Sequence, residues 1–174
     1  MPPVTLVLFI AGLLLSARCA ALPDDSQAPV QITADFADFN HRQGIALYRG
    51  QVEISQGSRQ FSGDTVRIYL DTDNQVEKIV AIGAPATFQH LPKAGAAQAV
   101  ATARRIEFEA RTDQLLLLDN ARIWRVGGEA MSSQRMVYHT ETSRLESGPA
   151  SAPDAAPAPN PSTGRVRITL PGRN

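Results

Sequence analysis

Cysteine is almost absent: the 174-residue chain has one, Cys19. It sits at the end of an apolar N-terminal segment that reads as an export signal. Cleavage before Leu22 would leave no thiol at all. That excludes a disulfide framework, a thiolate nucleophile and a thiolate metal site. Charge of one sign is lacking too, since Lys+Arg and Asp+Glu stand at 17 each. A neutral total argues against bulk electrostatic binding of nucleic acid, and leaves binding of an amphiphile open. Long apolar runs are missing: "VTLVLFIAGLLLSA", from Val4 to Ala17, fits a signal-peptide core and falls short of the roughly 20 residues of a membrane span. Its leading "MPP" carries no Lys or Arg, so an uncleaved anchor remains the alternative. A lipoprotein reading of Cys19 is opposed by Arg18, where a small residue is wanted.

Catalytic constellations are equally scarce. His41, His90 and His139 are far apart and read as solvated or capping residues. Asp35 and Asp38, and Asp71 and Asp73, fall in or beside turns, where carboxylates usually bond the local backbone. Ser55, Ser58 and Ser62 have no His–Asp partner in a recognisable frame, and no Gly-rich phosphate loop opens a helix. No catalytic residue, metal ligand or cofactor site is expected, and the chain reads as a binder.

What the sequence does contain is alternation. Val30 and Ile32, Val52 and Ile54, Val66, Ile68 and Leu70, and Ile106 and Phe108 are each separated by one polar or aromatic residue. That period places one set of side chains on each face of a strand. Turn residues punctuate the runs: Gly44, Gly57, Asp71, Asp73 and Asn74, Asp113, and Gly127 with Gly128. Short connections make consecutive strands antiparallel neighbours. No sustained helical period follows the signal, so the expectation is an all-β meander, with sandwich, barrel and jellyroll open.

The pattern occurs twice. Ile54 is matched by Ile123, 69 residues later, Val52 by Ala121, and Asp38-Phe39 by Glu107-Phe108. With one more residue inserted, Val66 is matched by Met136 and Ile68 by Tyr138. The division expected is a signal at 1–21, a β-domain at 22–147, a Pro/Ala-rich linker at 148–164, a closing strand at 165–171 ("RVRITLP") and a tail at 172–174. A strand placed after such a linker is one that docks, on its own sheet or on a neighbour's. Tyr48, Phe61, Phe88, Phe108 and Tyr138 share the apolar parity of their strands, while Tyr69 and Trp124 fall on the other face. Parity alone does not separate an ordinary sandwich core from a groove between two sheets.

Five segments in order carry a resemblance: Ala34-Asp35; "YRGQV" with Gln56-Gly57; "GDTV" from Gly63; "AIGAPATFQ" from Ala81; and "LLLLDNARIWR", with Asp119 where a Gly is usual. Together with "RVRITLP" they are similar to the lipopolysaccharide transport protein A (LptA) family, also called OstA-like, over about residues 30–147 and the tail. The resemblance implies an antiparallel, open, V-shaped β-jellyroll that is periplasmic and binds lipopolysaccharide through lipid A in its apolar interior. Carried over by position, Val30, Ile32, Tyr48, Val52, Ile54, Phe61, Ile68, Ile79, Phe88, Phe108, Leu117 and Ile123 would face the acyl chains. The implied partners are lipopolysaccharide, further copies joined head to tail, and LptC-like inner-membrane and LptD-like outer-membrane proteins joined by β-augmentation. A membrane-anchored LptC-like protein, or a β-sandwich carbohydrate-binding or structural module, would show the same alternation.

Overall fold

The computed structural model describes residues 25–92, 95–148 and 167–169. The predicted signal, most of the linker and the ends of the predicted closing strand lie outside them. A short 3-10 turn, Asp25–Gln27, precedes ten strands: β1 (Val30–Thr33), β2 (Phe36–Asn40), β3 (Ile45–Gln56), β4 (Arg59–Leu70), β5 (Val76–His90), β6 (Ala99–Glu109), β7 (Gln114–Arg125), β8 (Ala130–His139), β9 (Arg144–Ser147) and β10 (Arg167–Thr169). They form one antiparallel sheet, ordered β1-β3-β4-β5-β6-β7-β8-β10, with β2 also on β3 and β9 also on β8. The sheet thus has eight columns, because β1 with β2 fills one end column and β9 with β10 the other.

A crease crosses this sheet. The register shifts between Arg49 and Val52, Ser62 and Thr65, Ile82 and Ala86, Thr102 and Arg105, and Leu118 and Ala121. These irregularities lie side by side on successive strands, and the gap between β1 and β2 falls on the same line. Each extra residue bends its strand, so a row of them folds the sheet across its middle. The upper half contains β1, the start of β4 and β10; the lower half contains β2, the end of β4 and β9. The halves face one another: Phe61, in the upper half, lies 5.7 Å from Phe108 in the lower, although β5 separates their strands. Left-handed backbone makes the crease. Gly50 and Gln51 have φ of 77° and 42°, and Asp119 and Asn120 have 63° and 56°. An ideal Cβ on Gly50 would come within 2.8 Å of the Asp35 Cβ, so a side chain there meets both an unfavourable φ and a neighbour.

The twofold pattern seen in the sequence is structural. The pair Val30–Gln56 recurs as Ala99–Arg125, and Asn40–Ile45 as Glu109–Gln114, each 69 residues on. The crease pairs Gly50-Gln51 and Asp119-Asn120 keep that spacing. The inserted residue lies in the turn between β7 and β8. Columns one to four therefore repeat as columns five to eight.

Candidate functional site: an apolar interior between facing halves

The interior follows from alternation applied to a creased sheet: on both halves the apolar parity points into the fold. Of the twelve predicted lining residues, Val52, Ile54, Phe61, Ile68, Ile79, Phe88, Phe108, Leu117 and Ile123 belong to one buried cluster. Ile32 and Tyr48 are half-buried and pack against it. Val30 keeps the inward parity and is 37% exposed, because β1 is an end strand with nothing beyond it among the described residues. Ile106, Leu115 and Met136, which the predicted set omits, are fully buried in the same cluster.

The interior is filled at its centre. Phe61, Phe88 and Phe108 form an aromatic knot, with Phe61 4.9 Å from Phe88 and 5.7 Å from Phe108. Two hollows open off it. One, ~680 Å³, is of mixed character, with Val30, Val76, Phe108 and Ala110 beside the polar Gln56, Arg59, Asp71, Asn74 and Asp113; the other, ~150 Å³, has Ile123, Met131, Tyr138 and Leu145 beside Arg125 and Glu129. A third, ~360 Å³, is lined chiefly by polar residues, among them Gln31, Glu53, Gln60 and Gln89. Tyr69 and Trp124 are half-buried, and the Arg122 guanidinium lies 5.1 Å above the Trp124 ring.

A polar cluster ties the rim of the upper half to that of the lower. Arg59, at the start of β4, donates from Nη2 to Asp113 Oδ1 (2.5 Å), in the turn between β6 and β7. Its guanidinium stacks 5.1 Å from the Phe108 ring. Thr140 Oγ donates to the Asp113 carbonyl (3.1 Å). Asp25 accepts from the Ser58 N–H and hydroxyl, both at 2.7 Å, and lies 3.6 Å from Arg59 Nε and 3.7 Å from His90 Nε2. His90 was expected to be solvated or capping, but it is 5% exposed. Burial, and then the nearby Arg59 charge, push its pKa below the usual 6.5. This ring gave no sequence signal, since Arg59 and Asp113 are 54 residues apart in unrelated turns. Of the other two histidines, His41 is exposed and His139 half-buried.

The outer face of the lower half carries charge in pairs. Lys78 Nζ lies 2.7 Å from Glu107 and 2.8 Å from Glu109, and Arg105 Nε lies 2.5 Å from Glu107. The hydrogen bonds that Lys78 donates to the Glu107 and Glu109 carboxylates raise its pKa. Burial works to raise that of Glu107, but the Lys78 and Arg105 contacts prevail and it falls below 4.5. Among the described residues no group of three or more His, Cys, Asp or Glu is placed to hold a metal ion.

A single antiparallel sheet, creased so that its apolar face closes on itself while, among the described residues, the outer edges of both end strands stay unpaired, defines the class: an open β-jellyroll of the OstA-like kind. The chain belongs to the family described as LptA/(LptD N-terminal domain) LPS transport protein, whose pattern residues 31–144 match. It is 28% identical over 143 residues to the lipopolysaccharide export system protein LptH of Pseudomonas aeruginosa, covering 82% of this chain and 81% of that one. The crystal structure of LptH, described as the LptA-homologous periplasmic component of the lipopolysaccharide transport device of that organism, matches with a TM-score of 0.76 at 25% identity. That match covers 86% of this chain and all of the other.

Proposed function

We propose that this protein carries lipopolysaccharide, after export to the periplasm by a cleaved signal at 1–21, as one element of a bridge between two membranes. The observation that supports it most is the interior. Nine predicted lining residues from both halves meet in one apolar cluster, and among the described residues the edges that would extend that cluster into a neighbour carry no further strand. The mechanism is passive. Acyl chains enter between the halves and exchange water for side chains such as Ile32, Tyr48 and Ile54, at about 0.8 kcal/mol per buried CH₂. No bond is made or broken, and direction comes from an energy source elsewhere in the assembly.

The filled centre constrains this mechanism. Phe61 and Phe108 touch across the halves, so acyl chains enter only as the halves part. The hollow at Val30, Val76 and Phe108 is the larger starting point. The ring around Arg59 is what parting has to break. Family membership brings the bridge partners as expectations: an LptC-like protein at one end, an LptD-like protein at the other and copies of this chain between.

Photo-crosslinking tests the reading. A photoreactive residue at Ile32 or Tyr48, inward and half-buried, should capture lipopolysaccharide in cells. The same residue at Glu53 or Arg67, on the outer face, should not. Equal capture from both faces, or none from the inward pair, would sink the proposal.

A further inference from the structure

The larger hollow lies at the mouth of the fold, away from the crease. Its upper lip is the row Val30, Gln56 and Arg59, and its lower lip holds Val76, Ala110 and Asp113. Phe108, 1% exposed, joins it to the buried apolar cluster. Arg59 is the buried cation of this wall, at 8% exposed, whereas Arg111 is exposed and lies 3.9 Å from Glu77. A guanidinium does not lose its proton in a protein, so Arg59 needs an anion in every state of the fold. In the closed fold that anion is Asp113, across the mouth, 2.5 Å from Nη2. The match is incomplete. Arg59 Nε is buried and makes no hydrogen bond among the described residues. Asp25 lies 3.6 Å from it, but the two Asp25 oxygens accept from the Ser58 N–H and hydroxyl.

We propose that Arg59 is the receptor for the anionic headgroup, a phosphate or a carboxylate, of an amphiphile whose hydrocarbon tail enters the interior, and that Asp113 holds that place until the ligand arrives. This rests on the proposed carrier function and adds a headgroup requirement that an apolar interior does not specify. The parting that admits a tail also carries Asp113 away with the lower lip. The two partners then fare differently. The Asp113 side chain is in a turn and 23% exposed, so it rehydrates. Arg59 stays at the threshold of an interior filling with hydrocarbon, where an unpaired cation is costly. Two oxygens of one phosphate or carboxylate can meet two N–H groups of a guanidinium side by side, which engages the Nε that Asp113 leaves without a bond. The tail then lies against Phe108, Val30 and Val76. A neutral headgroup on the same tail leaves Arg59 without its anion.

The other charges at the mouth set the size of the effect. Asp71 also lines the hollow and opposes an incoming anion, but its Oδ1 accepts from the N–H groups of Asp73 and Gln75, both at 2.9 Å. Arg111 adds an exposed cation to the same wall. His90, 3.7 Å from Asp25, has its pKa lowered by burial and then by the Arg59 charge, so near pH 7 it is chiefly neutral. Loading exchanges one anion at Arg59 for another. The gain over a neutral headgroup is therefore modest in affinity, and it shows best as a preference between two amphiphiles with the same tail.

Calorimetric titration of the full chain with dodecyl phosphate and with dodecyl maltoside, near pH 7 and below micelle formation, provides the test. The parent should prefer the phosphate by about three- to tenfold. Arg59→Gln should bring that ratio close to one. Asp113→Asn, which frees Arg59 of its carboxylate, should raise it by a further factor of about two to five. Arg67→Gln, at an exposed cation on the outer face, should leave it unchanged. The ratio compares two amphiphiles on one protein, so a change in stability or in ease of opening cancels. Melting curves check that the variants fold, and should Arg59→Gln fail to do so, the Asp113→Asn ratio decides. Binding of neither amphiphile would overturn the carrier reading and this inference with it. Binding of both with equal affinity by the parent, a ratio that Asp113→Asn does not raise, or a ratio lost in Arg67→Gln would overturn this inference and leave the carrier standing. Inorganic phosphate alone should not displace dodecyl phosphate; displacement at millimolar concentrations would assign the site to a free anion and overturn the headgroup role.

Discussion

Substituting Asp113→Asn should make the protein less stable and the lipid bind more tightly. Asn keeps the side-chain shape and tolerates the left-handed backbone at this position, where φ is 49°. It removes the charge that faces Arg59 at 2.5 Å. The amide oxygen still accepts from the charged guanidinium, so what the exchange removes is the ion-pair attraction of a partly exposed pair, about 1 kcal/mol. Arg59 is 8% exposed and among the described residues would keep only Asp25, 3.6 Å from its Nε, as a charged partner. That leaves a buried cation under-compensated and brings the expected loss to about 1–2 kcal/mol. The broken contact spans the two halves. If acyl chains enter by parting them, the energy lost from the closed state is no longer needed for opening. Affinity should then rise, by up to about tenfold for each 1.4 kcal/mol. Urea denaturation gives the first number, and displacement of a fluorescent lipopolysaccharide gives the second. Stability and affinity falling together, or stability falling with affinity unchanged, would refute the idea that this ring closes the interior.

The crease makes two further predictions of opposite sign. Gly50→Ala should cost about 1–3 kcal/mol, from an L-residue at φ 77° facing Asp35, while Asp119→Gly, at φ 63° in the matching position, should be neutral or stabilise by up to about 1 kcal/mol; thermal melting of both variants checks the pair. Acid should destabilise the fold through His90. Its folded pKa lies below 6.5, so the unfolded chain takes the proton more readily, and stability is complete above pH 6.5 and declines as the pH falls through the folded value. Melting of His90→Gln between pH 7 and 5 should show a smaller decline than the parent, and an unchanged slope would remove His90 from the account. Glu107, also held below its usual value, extends the loss to pH values below 4.5 and stays as a background in both proteins.

The face each strand turns inward was legible because it depends on a local period. Val52 and Ile54, or Ile68 and Phe88, needed only the count of two between side chains, and all four are buried. Whether that face was a sandwich core or the interior of a creased sheet was not legible. The answer lies in where the register slips, and Gln51, Asp119 and Asn120 adopt left-handed backbone without announcing it as glycine would. The ring around Arg59 was hidden for a different reason. Its members come from the turn at Asp25, the β3–β4 turn, the end of β5 and the turns after β6 and β8. Only the closing of the two halves brings them together, and nothing local selects them. His90 accordingly reads as an ordinary strand-end histidine until the fold buries it.

Phe39 shows what a repeat adds beyond periodicity. Its match to Phe108 was visible in the sequence at the same spacing that relates Ile54 to Ile123, yet the predicted lining set has Phe108 and omits Phe39. The structure gives both the same parity and very different exposure, 1% against 42%. Parity is a property of one strand, whereas burial also depends on the next column of the sheet, and for Phe39 that column is absent from the described chain. A sheet built from two matching sets of four columns has ends that are counterparts of its own middle.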